Sequence, residues 1–393
     1  MVLLPPKLSR RWSSQCKDFS GSTQFMGSSV YCEARSGMSE KKEDFKGKTF
    51  LVTGGGGFLG KAIVKALLAR GADVRSLSRS TYDELADLDV VQFNHDLGSS
   101  ASLPSEALCG VSGIFHTAAY VKMWGKYQDF RATNIEGTRK LIDSAQEAGV
   151  KRLVFTSSPS VIARGASLCG VNESIAYPDH YEAFYPETKA EAERLVLESD
   201  QDKLMTCSLR PHLIFGPGDT SLTKMVVAKG RSGSLRRIGS GNNLVDFSYI
   251  EDCTEAHLLA MTALEENPAS RGRSFFISQG DPYPLWKWID QVLEYHDVKR
   301  VSRSVPYQLA RRLAVFMEFL SKTFPVLGEP RLTRFLVDEM YTDHYFDITA
   351  AQEILGYKPR YTVDEALIKT FEQSKDKQSY SNITSEFINT PVV

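Results

Sequence analysis

Tyr185 and Lys189, in the stretch Y-E-A-F-Y-P-E-T-K-A, put a phenol and an ammonium on one helix face about one turn apart. A phenol with the ordinary pKa of about 10 is a poor acid–base at neutral pH unless a nearby cation favours its anion. Pro186 suits the first turn of such a helix. The same spacing recurs at Tyr283 and Lys287, so spacing alone assigns no chemistry, and Tyr181 has no lysine four residues on. What precedes Tyr185 decides. The run R-L-V-F-T reads as a strand that ends in Ser157 and Ser158. Strand ends of a parallel sheet face the ligand crevice, where Ser158 would orient a substrate oxygen and Tyr185 would exchange its proton. Lys189 would lower the phenol pKa and hold ribose hydroxyls. Asn134, in A-T-N-I-E-G-T, is the fourth candidate: it steadies the lysine through a water or N-caps its own helix.

This chemistry interconverts a ketone and a secondary alcohol, and it needs a hydride carrier. T-G-G-G-G-F-L-G holds Gly54, Gly57 and Gly60 at the spacing G-x-x-G-x-x-G, directly after the strand run T-F-L-V-T. Such glycines permit a tight turn, close approach of a pyrophosphate, and close packing of helix on sheet. The free N–H groups where the helix starts, at Phe58, Leu59 and Gly60, favour the anion. The second strand ends in Ser78, Arg79 and Ser80 with no carboxylate to take a ribose hydroxyl. NADP(H) is therefore favoured over NAD(H), with Arg79 pairing the 2′-phosphate. Asp96 and Leu97, after the third strand, are placed for the adenine. Ala118 and Ala119 are small where the cofactor crosses the sheet edge, and His116 reads as a packed strand residue.

The elements that must hold these groups alternate along the chain. Strand runs at residues 49–53, 74–77, 90–93, 113–116 and 152–156 are separated by helical patterns, notably 58–70 and about 134–148. That alternation predicts an α/β fold, a Rossmann-type doubly wound parallel sheet, with a smaller, mixed C-terminal substrate lobe. The expected divisions are an extension at 1–46, the cofactor domain at 47–220, the lobe at 221–373 and a tail at 374–393. Charge is balanced at −1, from 47 basic and 48 acidic residues, so no nucleic-acid partner is expected. Six scattered cysteines form no C-x-x-C pair, which argues against a metal site or a disulfide framework. Arg10, Arg11 and Lys17 among serines resemble a mitochondrial or plastid transit segment. The alternative locations are the cytoplasm and the surface of an intracellular membrane.

The ordered set of T-G-G-G-G-F-L-G, H-T-A-A, N-I-E-G-T, T-S-S-P-S-V, Y-P-E-T-K and R-P-H-L-I-F-G-P-G-D resembles an extended short-chain dehydrogenase/reductase over residues 48–372. Within that superfamily V-D-F-S-Y-I-E-D, F-F-I-S-Q-G-D-P and L-G-Y-K-P-R are similar to the 3β-hydroxysteroid dehydrogenase and sterol-4α-carboxylate 3-dehydrogenase group. A-Y-V-K-M-W-G-K-Y, S-R-S-T-Y-D-E-L and G-E-P-R-L-T-R-F-L are closer still to 2-alkyl-3-oxoalkanoate reductases. The resemblance implies a Ser158–Tyr185–Lys189 triad, a cofactor loop at Gly54, Gly57 and Gly60, and a nicotinamide-side turn that begins at Pro211. Ser78 stands where many steroid members carry an acid, which favours a reductase. The implied substrate is a bulky, apolar small molecule, and a homodimer is compatible with the pattern. Residues 307–324 form an apolar helix with basic Arg311 and Arg312, read as a pocket wall or as a membrane-surface helix. Two other functions share these residues: a nucleotide-sugar epimerase or dehydratase, and a non-catalytic NADP sensor.

Overall fold

The computed structural model describes residues 45–373. The expectations for the extension and the tail fall outside the described residues, apart from Phe45 and Lys46.

Alternation of side chains across β1 (Thr49–Thr53) explains why the sheet must be covered twice. Phe50 and Val52 enter one apolar cluster, while Leu51 enters another on the opposite face. β4 (Gly113–His116) and β5 (Arg152–Thr156) divide the same way. Phe115 and Val154 go to the first cluster, Ile114, Leu153 and Phe155 to the second. With β2 (Asp73–Ser78), β3 (Val91–Asn94) and β7 (Met205–Pro211), these strands form a parallel sheet completed by the strand Arg273–Ile277. The order is Arg273–Ile277, β7, β5, β4, β1, β2, β3. β1 and β4 are neighbours, and the chain winds outward from them in both directions, so a crevice opens at their carboxyl ends. Register aligns those ends: Thr53 pairs with Leu77 on one side and His116 on the other. Thr156 pairs with Leu209.

A second, mixed sheet of four strands carries the substrate side. It orders Tyr283–Pro284, Leu244–Val245, His344–Phe346 and β6 (Leu168–Val171). Its members come from both sides of residue 220, and Arg273–Ile277 returns to the large sheet, so the chain crosses between the two sheets more than once. Three corrections concern helices. The helix expected from Asn134 begins earlier, as Tyr127–Phe130, continues as a π-helical stretch over Arg131–Glu136, and becomes regular at Gly137–Glu147. Asn134 therefore lies inside the helix and caps nothing. The helix Tyr307–Thr323 lines no part of the pocket beside Tyr185. It buries small or polar positions, Ala310, Ala314, Glu318 and Ser321, and turns Leu313, Phe316 and Phe319 outward.

Candidate active site

At the end of β1 the chain turns through Gly54, whose φ of +72° suits glycine alone, and a Cβ there would sit 3.0 Å from Ala118 Cα. Gly60, on the first turn of the helix Phe58–Leu68, is needed for a different reason. A Cβ on it would lie 2.2 Å from Gly54 O, inside the loop's own backbone. Helix and loop can approach only with hydrogen at that position. Gly57 is the extended cap, with no side chain to occupy the helix N-terminus, and the Lys61 N–H is the first to bond back to Gly57 O. The N–H groups of Phe58, Leu59 and Gly60 are thus left without helix partners, in a cradle that fits a diphosphate. Sequence reasoning passed over Gly55 and Gly56. A Cβ on Gly55 would meet Ser76 Oγ at 2.5 Å, and one on Gly56 would enter the Tyr82 ring.

The remaining cofactor candidates sit on separate elements, each with its own surroundings. Ser78 is buried at the end of β2, its Oγ 3.5 Å from Ser76 Oγ. Arg79 is exposed and pairs with nothing among the described residues. Asp96 spends one carboxylate oxygen on the Gly98 N–H at 2.9 Å, as a turn former would, while Leu97 beside it is core. The Ala118 N–H donates to Thr53 Oγ1, which fixes the backbone after β4 against the glycine turn. His116 is fully buried between Thr53 and Thr138, and burial pushes its imidazole down to about 3, so it is neutral.

Ser158, Tyr185, Lys189 and Pro211 line one cavity of about 270 Å³, together with Leu59 and Ala119 from the cofactor side. Apolar Val121, Met123, Leu213, Leu222 and Phe335 form much of the rest. Ser158 Oγ accepts the Ser160 N–H at 3.2 Å, and its bond to the Tyr185 phenol favours the phenolate. The helix carrying Tyr185, Phe184–Glu198, starts one residue before it. The expected electrostatics differ from those observed. Burial lifts the Tyr185 phenol to about 12, and the ammonium of Lys189 is directed elsewhere, donating to Thr156 O at 2.6 Å over the Phe155 ring. Burial also holds Lys189 down to about 7, so its charge is itself marginal at neutral pH. Lys189 is placed to orient a ligand along β5 more than to acidify the phenol.

Behind the lysine lies a network that spacing did not reveal. Glu193, one turn beyond Lys189 and fully buried, accepts from Arg210 at the end of β7, with Arg210 Nη2 at 2.5 Å. Tyr177 and Ser208 donate to the same carboxylate at 2.6 and 2.8 Å. The available signal was Glu193 on the buried helix face, four residues from Lys189. Asn134 acts on the other side of the helix. Its Oδ1 accepts the Tyr120 N–H at 2.7 Å, and its Nδ2 donates to Thr188 Oγ1 at 3.1 Å. It ties the loop after β4 to the residue before Lys189. Tyr283 and Lys287, at the competing spacing, clasp Asp364 on the surface far along the chain and line no part of this cavity.

A doubly wound parallel sheet with a glycine turn at its switch point and a Ser–Tyr–Lys cavity beside it defines a dehydrogenase-type dinucleotide enzyme. The chain belongs to the 3-beta hydroxysteroid dehydrogenase/isomerase family, whose pattern it matches over residues 51–307. It is 38% identical to the 2-alkyl-3-oxoalkanoate reductase of Stenotrophomonas maltophilia, over 81% of this chain and 96% of that one. It is 33% identical to the decarboxylating sterol-4-alpha-carboxylate 3-dehydrogenase of Mus musculus, over 83% and 91%. Among solved structures, the UDP-glucuronic acid 4-epimerase from Bacillus cereus in complex with NAD shares the fold, with a TM-score of 0.64 at 19% identity. That likeness covers 84% of this chain and 99% of the other. The protein is an NAD(P)-dependent oxidoreductase.

Proposed function

We propose that this enzyme interconverts a secondary alcohol and a ketone on a bulky apolar substrate that carries a carboxylate on the neighbouring carbon. The observation that carries this is the cavity itself, in which Ser158, Tyr185 and Lys189 meet a mostly apolar wall. The two relatives named above supply the class. A 2-alkyl-3-oxoalkanoate and a sterol-4α-carboxylate share one local structure, an oxygen-bearing carbon beside a carbon that holds both a carboxylate and an apolar group. A nucleotide-sugar pocket would need many polar partners for a diphosphate sugar, whereas Val121, Met123, Leu213, Leu222 and Phe335 make this wall mostly apolar.

In this reading the loop Gly54–Gly60 and the N–H groups of Phe58, Leu59 and Gly60 hold the diphosphate. Arg79 and Ser78 face the adenosine ribose, which favours NADP(H). The nicotinamide supplies the hydride in reduction and accepts it in oxidation. Ser158 donates a hydrogen bond to the substrate oxygen, and Tyr185 transfers the proton to or from it. Lys189, anchored on Thr156 O, holds the ribose hydroxyls. Asn134 keeps Thr188, and through it the lysine turn, against the loop at Tyr120. The apolar face of Tyr307–Thr323 rests on a membrane surface from which such a substrate would come.

The test pairs a substrate panel with one variant. Sterol alcohols, 2-alkyl-3-hydroxy acids and 2-alkyl-3-oxo acids are offered with both cofactors, to the wild type and to Tyr185→Phe. The expected result is turnover of the carboxylated compounds by the wild type, a loss of roughly a thousandfold or more in the variant, and unchanged cofactor affinity. Equal rates in wild type and variant would dismiss the proton-transfer role.

A further inference from the structure

One residue of the cavity lining, His212, is paired with a second histidine behind it, His344, and catalysis by Ser158, Tyr185 and Lys189 uses neither. His212 follows Pro211 at the end of β7, and His344 begins a strand of the small sheet. Both are buried, and His212 Nε2 lies 2.6 Å from His344 Nδ1. The other ring nitrogen of His344, Nε2, lies 2.7 Å from the Glu339 carbonyl. A carbonyl only accepts, so His344 donates from Nε2 and, as a neutral ring, accepts at Nδ1. His212 must then donate from Nε2, which leaves its Nδ1 bare. That nitrogen has no hydrogen-bond partner among the described residues, and it is not among the polar atoms sealed from solvent. The His212 ring is held edge-on by Phe346, with centroids 5.7 Å apart, so Nδ1 has a fixed direction.

We propose that His212, oriented by His344, is the group that recognises the substrate carboxylate. The inference rests on the substrate class argued above and assigns the residue that selects it. An anion in this cavity needs a cationic or donating partner. The lining holds no arginine, and its one lysine, Lys189, is committed at the cofactor side to Thr156 O. His212 is the remaining ring that can gain a proton there. Protonated at Nδ1 it donates to the carboxylate, while Nε2–H still donates to His344, so no existing bond is lost. The pair therefore takes up one proton when the acid binds.

The surrounding charges suit this. Glu339 carries a carboxyl oxygen 3.9 Å from His344 Nε2, and burial raises its pKa, which lessens its repulsion of a bound anion. Asp246, directly after the neighbouring strand Leu244–Val245, is raised to about 6 by burial, and as its carboxylate it would stabilise a charge on the pair through His344. Lys189 and Tyr185 stand at the catalytic end of the same cavity. Without a bound anion His212 stays neutral, because burial and the neighbouring His344 hold it well below its ordinary value.

The test uses three alcohols with oxidised cofactor: a 2-alkyl-3-hydroxy acid with two long chains, its methyl ester, and the secondary alcohol lacking the carboxyl group. Wild type, His212→Asn and His344→Gln are compared by kcat/KM, with cofactor affinity as the check on folding. For the wild type the acid should lead the ester by roughly 10- to 100-fold, the range of a hydrogen bond to a charged group. His212→Asn should erase that lead through KM and abolish the rise in acid KM with pH. His344→Gln should shift the same ratio less. An unchanged acid-to-ester ratio in either folded variant, or a wild type that prefers the ester, overturns the assignment while leaving the substrate's size and apolarity intact. Turnover of the plain alcohol and of neither carboxylated compound overturns the substrate class, and this inference with it.

Discussion

At the scale of single residues, the proposed preference for NADP(H) rests on Arg79, an exposed guanidinium with no partner among the described residues beside a buried Ser78. An unengaged cation at the end of β2 suits a 2′-phosphate, where a carboxylate would repel it. Arg79→Glu should reduce kcat/KM for NADPH by roughly 10- to 100-fold, the value of a charge-assisted hydrogen bond, and raise that for NADH. Steady-state kinetics with each cofactor measures it, and an unchanged NADPH-to-NADH ratio would remove Arg79 from the adenosine site. The placement of residues of this kind was legible in the sequence because it depends on position along one strand or one helix turn. Tyr185, Lys189 and the glycine turn belong here. The direction of the Lys189 ammonium was not legible, since it depends on Thr156 O and the Phe155 ring, contributed by another element. His212 escaped for the same reason: its partner His344 lies 132 residues away.

Between residue and molecule stands the helix Phe184–Glu198, which bears the site on one end and an ion pair in its middle. Glu193 and Arg210 are both buried, and Tyr177 and Ser208 satisfy what the pair leaves over. Breaking a buried pair by removing one charge costs about 3–5 kcal/mol, because the other is left uncompensated. Glu193→Gln should lower the unfolding free energy by about that amount in urea titrations at neutral pH. It should also act on catalysis. The Glu193 carboxylate raises the pKa of Lys189, opposing the burial that depresses it. Removing the carboxylate moves the lysine below its value of about 7, so the alkaline limb of ketone reduction should shift to lower pH. A pH–rate profile that does not move would separate the helix's structural pair from its catalytic end. Strands were readable at this scale almost to the residue, since β4 and β5 are short apolar runs buried on both faces. The two-residue strands of the small sheet were not, because a pair such as Leu244–Val245 has no periodicity of its own. Nor was the π-helical stretch at Arg131–Glu136, whose extra residue per turn leaves no mark in composition.

For the molecule as a whole, the feature that asks for a partner is the outer face of Tyr307–Thr323. Leu309, Leu313, Phe316 and Phe319 share it, and Phe324, Val326 and Leu327 continue it beyond the helix, with Phe319 61% and Val326 92% exposed. No helix of the described residues is long and apolar enough to cross a membrane. A ridge of this length rimmed by cations instead suits the headgroup boundary of an anionic bilayer. Arg312 and Lys122 are exposed nearby in sequence or space, and Lys322 lies over the Trp124 ring at 5.8 Å. That contact joins the ridge to the loop bearing Val121 and Met123, which line the catalytic cavity. The double variant Phe316→Glu/Phe319→Glu should keep the fold, since neither ring is buried, and should lose binding to phosphatidylserine-containing vesicles by roughly 100-fold or more. Binding of the wild type should weaken in phosphatidylcholine alone and in high salt, as each basic group near an anionic surface contributes about 1 kcal/mol. Flotation of the full chain with both vesicle types measures this. Equal flotation of variant and wild type would reject the membrane contact, and light scattering that shows a wild-type dimer but a monomeric variant would assign the ridge to a second copy of the chain.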